Sequence, residues 1–275
     1  MNGGIKMKNI NLPDIQNSKP DIDSKVDKVG VREVLLPFKV KMKDGGIQHT
    51  VADISAYVTL LSKYRGINMS RILRVLNKYI DIAISSDYID LVLKKLCELL
   101  QSPSSYLKVK FKYFLKRKAP ISGSIGYVYY PVIFEGELLE DGTINHYLTV
   151  SVDYTSLCEC SKEISEVGAH NQRSNAEVKI LYQKENPIWI EDIVDIVDKN
   201  TSCPIYPVLK RIDEKYVTEY AYKHPRFVET MARKVAFDLE KESRVQGFVI
   251  VINHYESIHQ HNVVAIVHGG KVFIP

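Results

Sequence analysis

Cysteine is scarce. The four in 275 residues, Cys97, Cys158, Cys160 and Cys203, are too few and too unevenly spread to staple a chain of this length, so reduced thiols are expected and a disulfide framework is not. Long apolar runs are missing too. The longest, Phe248 to Ile252, falls far short of the roughly 18 residues a membrane span needs. Residues Met1 to Lys19 are polar and carry no apolar stretch of the secretory kind, so the expectation is a cytoplasmic chain with no membrane partner. Nor is there an excess of one charge. The formal net charge is +4, and no Lys/Arg block stands apart from matching carboxylates, so no nucleic-acid partner is expected, although a local basic pocket has room. What remains is ordinary globular material, 45% hydrophobic and 25% charged, long enough to bury a sizeable core in one large or two small domains.

The hydrophobic pattern runs through one order of elements twice. Val34 to Met42 and Ile47 to Leu61 read as strands around an Asp44-Gly45-Gly46 turn. Helical spacing follows in Ile72, Val75, Leu76, Tyr79 and Ile80, and again in Ile89, Val92, Leu93, Leu96 and Leu100 after a Ser86-Asp87 cap. Cys97 falls on that apolar face, as a small buried hydrophobe. Leu107, Val109, Phe111 and Tyr113 alternate with lysines, and Tyr127 to Phe134 completes a ββααββ unit. The second half begins with the alternation Leu148, Val150, Val152, Tyr154, then Val178 to Tyr182. Helices follow over Ile188 to Asp198 and from Pro225, the latter presenting Val228, Met231, Ala232, Val235 and Leu239, before Phe248 to Tyr255 and Val263 to Ile274. The expectation is an α+β fold of two tandem ββααββ modules, residues 29–140 and 141–275, behind a flexible segment 1–28. Each module would hold a four-stranded antiparallel sheet with a helix pair on one face. Sheet edges of this kind need covering, which favours a homo-oligomer over a monomer protected by edge lysines such as Lys108 to Lys112.

Three polar clusters carry the chemistry. The run Ser156-Leu157-Cys158-Glu159-Cys160-Ser161 leads through Gly168-Ala169-His170-Asn171-Gln172-Arg173-Ser174, between two strands. Its thiols and imidazole suit zinc or another transition metal, with a further ligand from His254, His259 or His261. A closed structural site of Cys158, Cys160, His259 and His261 is the catalytically silent alternative, and a thiol nucleophile activated by His170 is another. The third cluster, Lys210-Arg211-Ile212-Asp213-Glu214-Lys215-Tyr216-Val217-Thr218-Glu219, reads on its own as a solvated loop. Beside a metal, its cations suit a triphosphate and a carboxylate suits the N–H edge of guanine.

In this order the clusters resemble the signature runs of the type IB GTP cyclohydrolases, together with Gln48-His49-Thr50-Val51-Ala52, Arg65-Gly66, Met69-Ser70-Arg71 and Glu256-Ser257-Ile258-His259. The resemblance covers most of the chain. It implies tandem tunnelling-fold modules, a homotetramer and GTP as substrate, with release of formate and formation of 7,8-dihydroneopterin triphosphate for folate or a deazaguanine tRNA base. An archaeal-type variant forming the cyclic phosphate, and a non-catalytic metal-stabilised binding module, are the alternatives. By resemblance, Cys158, His170 and His259 are metal ligands for zinc, manganese or iron(II), with Glu256 orienting or ligating and no organic cofactor. Cys160 is a proton donor and acceptor, and His170 can share that work. Glu219 grips guanine, while Lys210, Arg211, Lys215 and Arg173 bind substrate. The chain departs from the family at four places: Glu159 stands for a proline, which would loosen the turn presenting both thiols, Ile67-Asn68 stands for Thr-His, His254 for an apolar aromatic, and Pro204 for an acidic ligand of some members.

Overall fold

A computed structural model describes residues 15–271. The strands alternate buried and exposed side chains because one face of the sheet is covered and the other is not. In β3 (Ser105–Lys118), Leu107, Val109, Phe111 and Tyr113 are buried while the intervening lysines point away from the core. The order of elements is β1 (Val26–Lys41), β2 (Ile47–Leu60), α1 (Met69–Lys78), α2 (Ser86–Leu100), β3, β4 (Ile125–Leu138), β5 (Ile144–Leu157), α3 (Glu159–Ile164), β6 (Asn171–Tyr182), α4 (Ile190–Asp198), β7 (Cys203–Pro204), α5 (Arg211–Lys223), α6 (Val228–Glu240), β8 (Val245–His254) and β9 (Val263–Gly270). Residues 272–274, expected at the end of the last strand, lie outside the described residues, as do residues 1–14 of the expected N-terminal segment. The rest of that segment is tied down: Gly66 and Arg65 donate backbone N–H groups to the carbonyls of Gln16 and Ser18, and Val26 already belongs to β1.

Two four-stranded sheets were expected; there is one. All neighbours are antiparallel in the order β1-β2-β3-β4-β5-β6-β8-β9, with β7 paired to β5. The expected module boundary falls in the β4–β5 hairpin. There Gly142 turns at φ 88° and Val132 to Leu138 pair with Val150 to Ile144, so the ladder passes from one half to the other without a break. Apolar alternation shows which residues face inward but not which edge of one sheet meets which edge of the next. The Asp44-Gly45-Gly46 turn forms as expected, with Gly45 at φ 87° and Met42 N–H bonded to the Gly46 carbonyl at 2.9 Å.

The helices lie where their apolar faces direct. Ile72, Val75 and Leu76 of α1 and Ile89, Val92, Leu93 and Leu96 of α2 join one core with Ile193, Val194 and Val197 of α4 and Met231, Val235 and Leu239 of α6. Each such side chain, once fully buried, contributes roughly 1.5–3 kcal/mol of transfer free energy. The α2 cap is Ser85, one residue before the expected pair; its side chain accepts the Tyr88 N–H at 3.2 Å. Relative to the first half, the second inserts β7 and α5 between its two packed helices.

Polar contacts tie the halves together behind the core. Asp90 on α2 meets His146 of β5 at 2.8 Å and Lys184 beyond β6. Burial alone would raise its pKa, but hydrogen bonds from Lys184 and His146 outweigh that and hold it below the ordinary value. Arg117 of β3 pairs with Asp198 of α4, and Tyr113 of β3 donates to Glu191 at 2.6 Å.

Gly136 of β4 sets how close α2 comes to the sheet. A Cβ there would lie 2.1 Å from Ile89 Cγ2 and 3.0 Å from Leu93 Cδ1. Gly136→Ala is expected to destabilise the fold by about 1–3 kcal/mol, the usual cost of overpacking. Urea unfolding of both proteins measures it, and an unchanged midpoint would contradict the close approach.

Candidate active site

The site grows out of the β5–β6 ladder. Its last pair is Leu157 with Asn171, and one step beyond it the Cys158 N–H bonds to the His170 carbonyl at 3.1 Å. Thiol and imidazole therefore leave adjacent strands at the same height. Between them the chain makes the short α3, for which Cys158 is the N-cap residue, its Sγ accepting weakly from the Ser161 N–H at 3.5 Å. Ser161 stitches the turn: its hydroxyl donates to the Cys158 carbonyl at 3.2 Å and accepts the His170 N–H at 3.2 Å. Cys158 is half-buried and Cys160, inside α3, is exposed.

Glu159 leaves this turn intact. It is the first residue of α3, a position that tolerates proline because its N–H has no helical partner, and that equally favours an acid facing the positive end of the helix. His254 likewise behaves as the aromatic it replaces: it is buried, packs edge-on to Tyr154 with ring centroids 6.0 Å apart, and places Nε2 3.0 Å from the Tyr154 hydroxyl. Burial pushes its pKa down to about 4, against a smaller opposing pull from Glu229, so the ring is neutral at physiological pH. Pro204 pairs with Tyr154 in the β7–β5 bridge, and Cys203 beside it is buried with its pKa pushed up to about 11, an inert thiol.

Glu256 follows β8 and is drawn in by the Tyr255 N–H bonding the Arg173 carbonyl at 3.3 Å. Its Oε2 lies 3.9 Å from His170 Nδ1, and both side chains are mostly buried. Nδ1 is closer still to Gln172 Oε1, at 3.0 Å. Gln172 was not singled out from the sequence, yet the signal was present: His170, Gln172 and Ser174 alternate as one face of a strand, and Ser156 is the register partner of Gln172. His259 does not join them. It lies in the exposed bend after β8, stacked on His261 with ring centroids 5.0 Å apart. Among the described residues no three His, Cys, Asp or Glu side chains converge closely enough to hold a metal ion. The donor chemistry of Cys158 and His170 nevertheless suits a transition metal, since the contacts of the imidazole are on Nδ1.

The charged run Lys210 to Glu219 is helix, not loop, apart from Lys210, its N-cap. The apolar pattern gave little sign of it, because α5 buries only Asp213 and Ala221. What starts it is Asp213, which accepts the N–H of Lys210 at 2.9 Å from its own helix and those of Ile121 and Ser122 at 2.9 and 2.8 Å from the β3–β4 turn. A small cluster of Leu157, Cys203 and Ala221, with Val217 and Tyr220, fastens α5 to the end of β5, and the Lys162 ammonium of α3 donates to the Tyr222 carbonyl at 2.7 Å. Lys210, Arg211, Lys215 and Glu219 are all exposed on α5, with Lys215 paired to Glu219 at 3.0 Å. Arg173 is exposed on β6. The thiol–imidazole pair and the cationic helix are thus packed against one strand end.

Residues 12–265 match the model of a protein family described as type I GTP cyclohydrolase folE2. A GTP cyclohydrolase FolE2 of Azoarcus sp. is 40% identical over 260 residues, covering 94% of this chain and 96% of the relative. One of Fervidobacterium nodosum is 38% identical over 261 residues, 95% and 98% of the two chains. Among solved structures, the uricase of Arthrobacter globiformis superposes with a TM-score of 0.52 at 7% identity, over 90% of this chain and 96% of that one. A urate oxidase mutant of Bacillus sp. TB-90 gives 0.52 at 11% identity, over 90% and 100%. At such identities these two share the fold alone, and that fold is the tunnelling fold.

Burial alone would raise the pKa of Asp213, but bonds from the Ser122 side chain and from the backbone of Ser122, Lys210 and Ile121 hold it well below the usual carboxylate range. A carboxylate that binds its proton less readily folded than unfolded stabilises fully above about pH 5 and progressively less as pH falls below about 4. Asp213→Asn is therefore expected to be less stable than wild type at neutral pH, with the gap narrowing on acidification in urea titrations. A gap independent of pH would show that the carboxylate charge does not anchor α5.

Proposed function

The chain belongs to the type I GTP cyclohydrolase FolE2 family, and from that premise we propose how its residues divide the work. Its activity is that of a GTP cyclohydrolase I, a hydrolase acting on GTP. The observation that carries the division of labour is the end of the β5–β6 ladder, where Cys158 and His170 are held side by side. In the reaction a water adds to C8 of guanine and the imidazole ring opens. A second hydrolysis releases C8 as formate, and rearrangement of the ribose followed by ring closure gives 7,8-dihydroneopterin triphosphate, for folate or a deazaguanine tRNA base. Two waters enter and one leaves at ring closure, so no oxidant, reductant or organic cofactor is required.

Cys158 and His170 would hold a divalent transition metal, zinc, manganese or iron(II), with Glu256 beside the imidazole to complete or orient the set, and His259 would join only on movement of the exposed bend that carries it. When bound, such an ion makes hydroxide available near neutrality. Cys160, exposed two residues along from Cys158, moves protons to and from the substrate nitrogens, a task that His170 can share. Glu219 accepts from the N–H edge of guanine, which requires it to leave its ion pair with Lys215; that pair is solvent-exposed and worth only about 0–1 kcal/mol. Lys215, once released, joins Lys210, Arg211 and Arg173 on the triphosphate. The protein works in the cytoplasm as a homotetramer. Support for assembly comes from the outer edge at β9, where Val264 and Ile266 are 54% and 58% exposed on a strand that is paired, among the described residues, on one side only.

Anaerobic incubation of the reduced, metal-loaded protein with GTP is expected to release formate, and Cys158→Ala to release none. No formate with zinc, manganese or iron(II) would overturn the metal-dependent reaction. Cys160→Ala should lower kcat by about 10²–10⁴-fold, the range a positioned proton-transfer group supplies. Glu219→Ala should weaken GTP binding by roughly 10–100-fold, corresponding to lost charge-assisted hydrogen bonds of about 1.5–3 kcal/mol. An unchanged affinity would remove Glu219 from the guanine site.

A further inference from the structure

Behind His170 runs a chain of side chains with no direct part in the reaction described above. Gln172 Oε1 lies 3.0 Å from His170 Nδ1, and the other end of the same amide, Nε2, donates to the Ser156 hydroxyl at 2.9 Å. Ser156 Oγ lies 2.7 Å from Ser174 Oγ. Ser156 and Ser174 are fully buried and Gln172 is 8% exposed. All three sit on one face of the β5–β6 ladder, because Ser156 opposes Gln172 and Ser174 lies two residues farther along β6. Burial of so many polar atoms costs free energy unless each is bonded, and here each bond fixes the next.

We propose that Gln172 is a positioning residue that holds His170 as the Nδ1–H tautomer, its own amide being oriented by Ser156 and Ser174. Ser156 takes the amide N–H, so the amide presents its carbonyl to the imidazole. A carbonyl can only accept, so Nδ1 must carry the proton, and Nε2 keeps its lone pair. A histidine side chain in water favours the opposite tautomer, with the proton on Nε2, so the amide works against the intrinsic preference. Glu256 Oε2, at 3.9 Å from the same Nδ1, is beyond hydrogen-bond reach and does not perform this role. The consequence for catalysis rests on the role given to His170 above: an Nε2 lone pair is what a metal or a proton in transit requires. The tautomer itself does not depend on that role.

The test uses the full-length, metal-free protein with ¹⁵N-labelled histidine at mildly alkaline pH, where a free imidazole is neutral. The ring-nitrogen signals of His170 are assigned by their loss in His170→Gln. Wild type is expected to show Nδ1 protonated. Gln172→Leu, similar in size but without an acceptor, should shift the population toward Nε2–H and weaken zinc binding by about 10–100-fold, as loss of a ligand's outer partner does. Gln172→Glu, which retains an acceptor, should restore the wild-type pattern, and Glu256→Ala should leave the tautomer unchanged. An Nε2–H signal in wild type, or a tautomer indifferent to Gln172→Leu, would overturn the proposal, as would a shift produced by Glu256→Ala in place of Gln172→Leu. Formate release by wild type is scored separately. Its absence with the tautomer pattern as expected would remove the catalytic reading of His170 and leave the positioning intact, whereas formate with an indifferent tautomer would do the reverse.

Discussion

The register of β5 against β6 governs where the candidate site of this chain is placed. Because side chains alternate across a ladder, pairing Leu157 with Asn171 puts Ser156 opposite Gln172 and brings Cys158 level with His170 in a single step. A slip of one residue would turn Gln172 and Ser174 to the face away from Ser156, so the amide would lose its partner across the ladder and Cys158 would no longer stand level with His170. The register is held by the residues farther down the same strands. Leu148, Val150 and Val152 on β5 and Ala176, Val178 and Ile180 on β6 are fully buried, and any slip would expose them. Core packing in the middle of the sheet thus fixes geometry at its end.

The second constraint is the seam between the halves. β4 and β5 are joined by a hairpin and share a ladder, and the buried contacts Asp90–His146, Tyr113–Glu191 and Arg117–Asp198 cross from the elements of one half to those of the other. Breaking one such pair would strand a buried charge, so each holds the halves in one relative position more than it adds net stability. Helix α5 is held in the same manner, through a carboxylate that gathers N–H groups from the β3–β4 turn as well as from its own first turn.

Much of this was legible in the residues. Alternation in Leu107 to Tyr113 and three-and-four spacing in Ile89 to Leu100 located strands and helices because burial on one face leaves a periodic trace. The polar runs around Cys158, His170 and Glu219 pointed to the candidate site through the chemistry of their donors, and the structure packs them around one strand end. Less legible was whatever depends on contacts between distant elements. The merging of two sheets into one leaves no period in the sequence. Helix α5 was hidden because its face is mostly polar and its start is stabilised by Asp213 reaching residues far away in the chain. Gln172 was passed over because amides in strands are common. Its importance lies in a partner across the ladder, Ser156, and not in its neighbours along the chain.

The strand order has a consequence for how the molecule comes to exist. Nearly every strand pairs with the one before it in the chain, so the sheet is a meander that can assemble by successive local closures as the chain emerges. The exceptions are β7, which pairs back to β5, and β8, which must find β6 across α4, β7, α5 and α6. Until that long loop closes, β6 has an open edge, and the segment leading from β8 into Glu256 has nothing to hold it beside the imidazole. The ladder that sets thiol beside imidazole closes a short loop, whereas the Glu256 side of the candidate site depends on a pairing across a much longer one, whose closure carries the larger entropic cost.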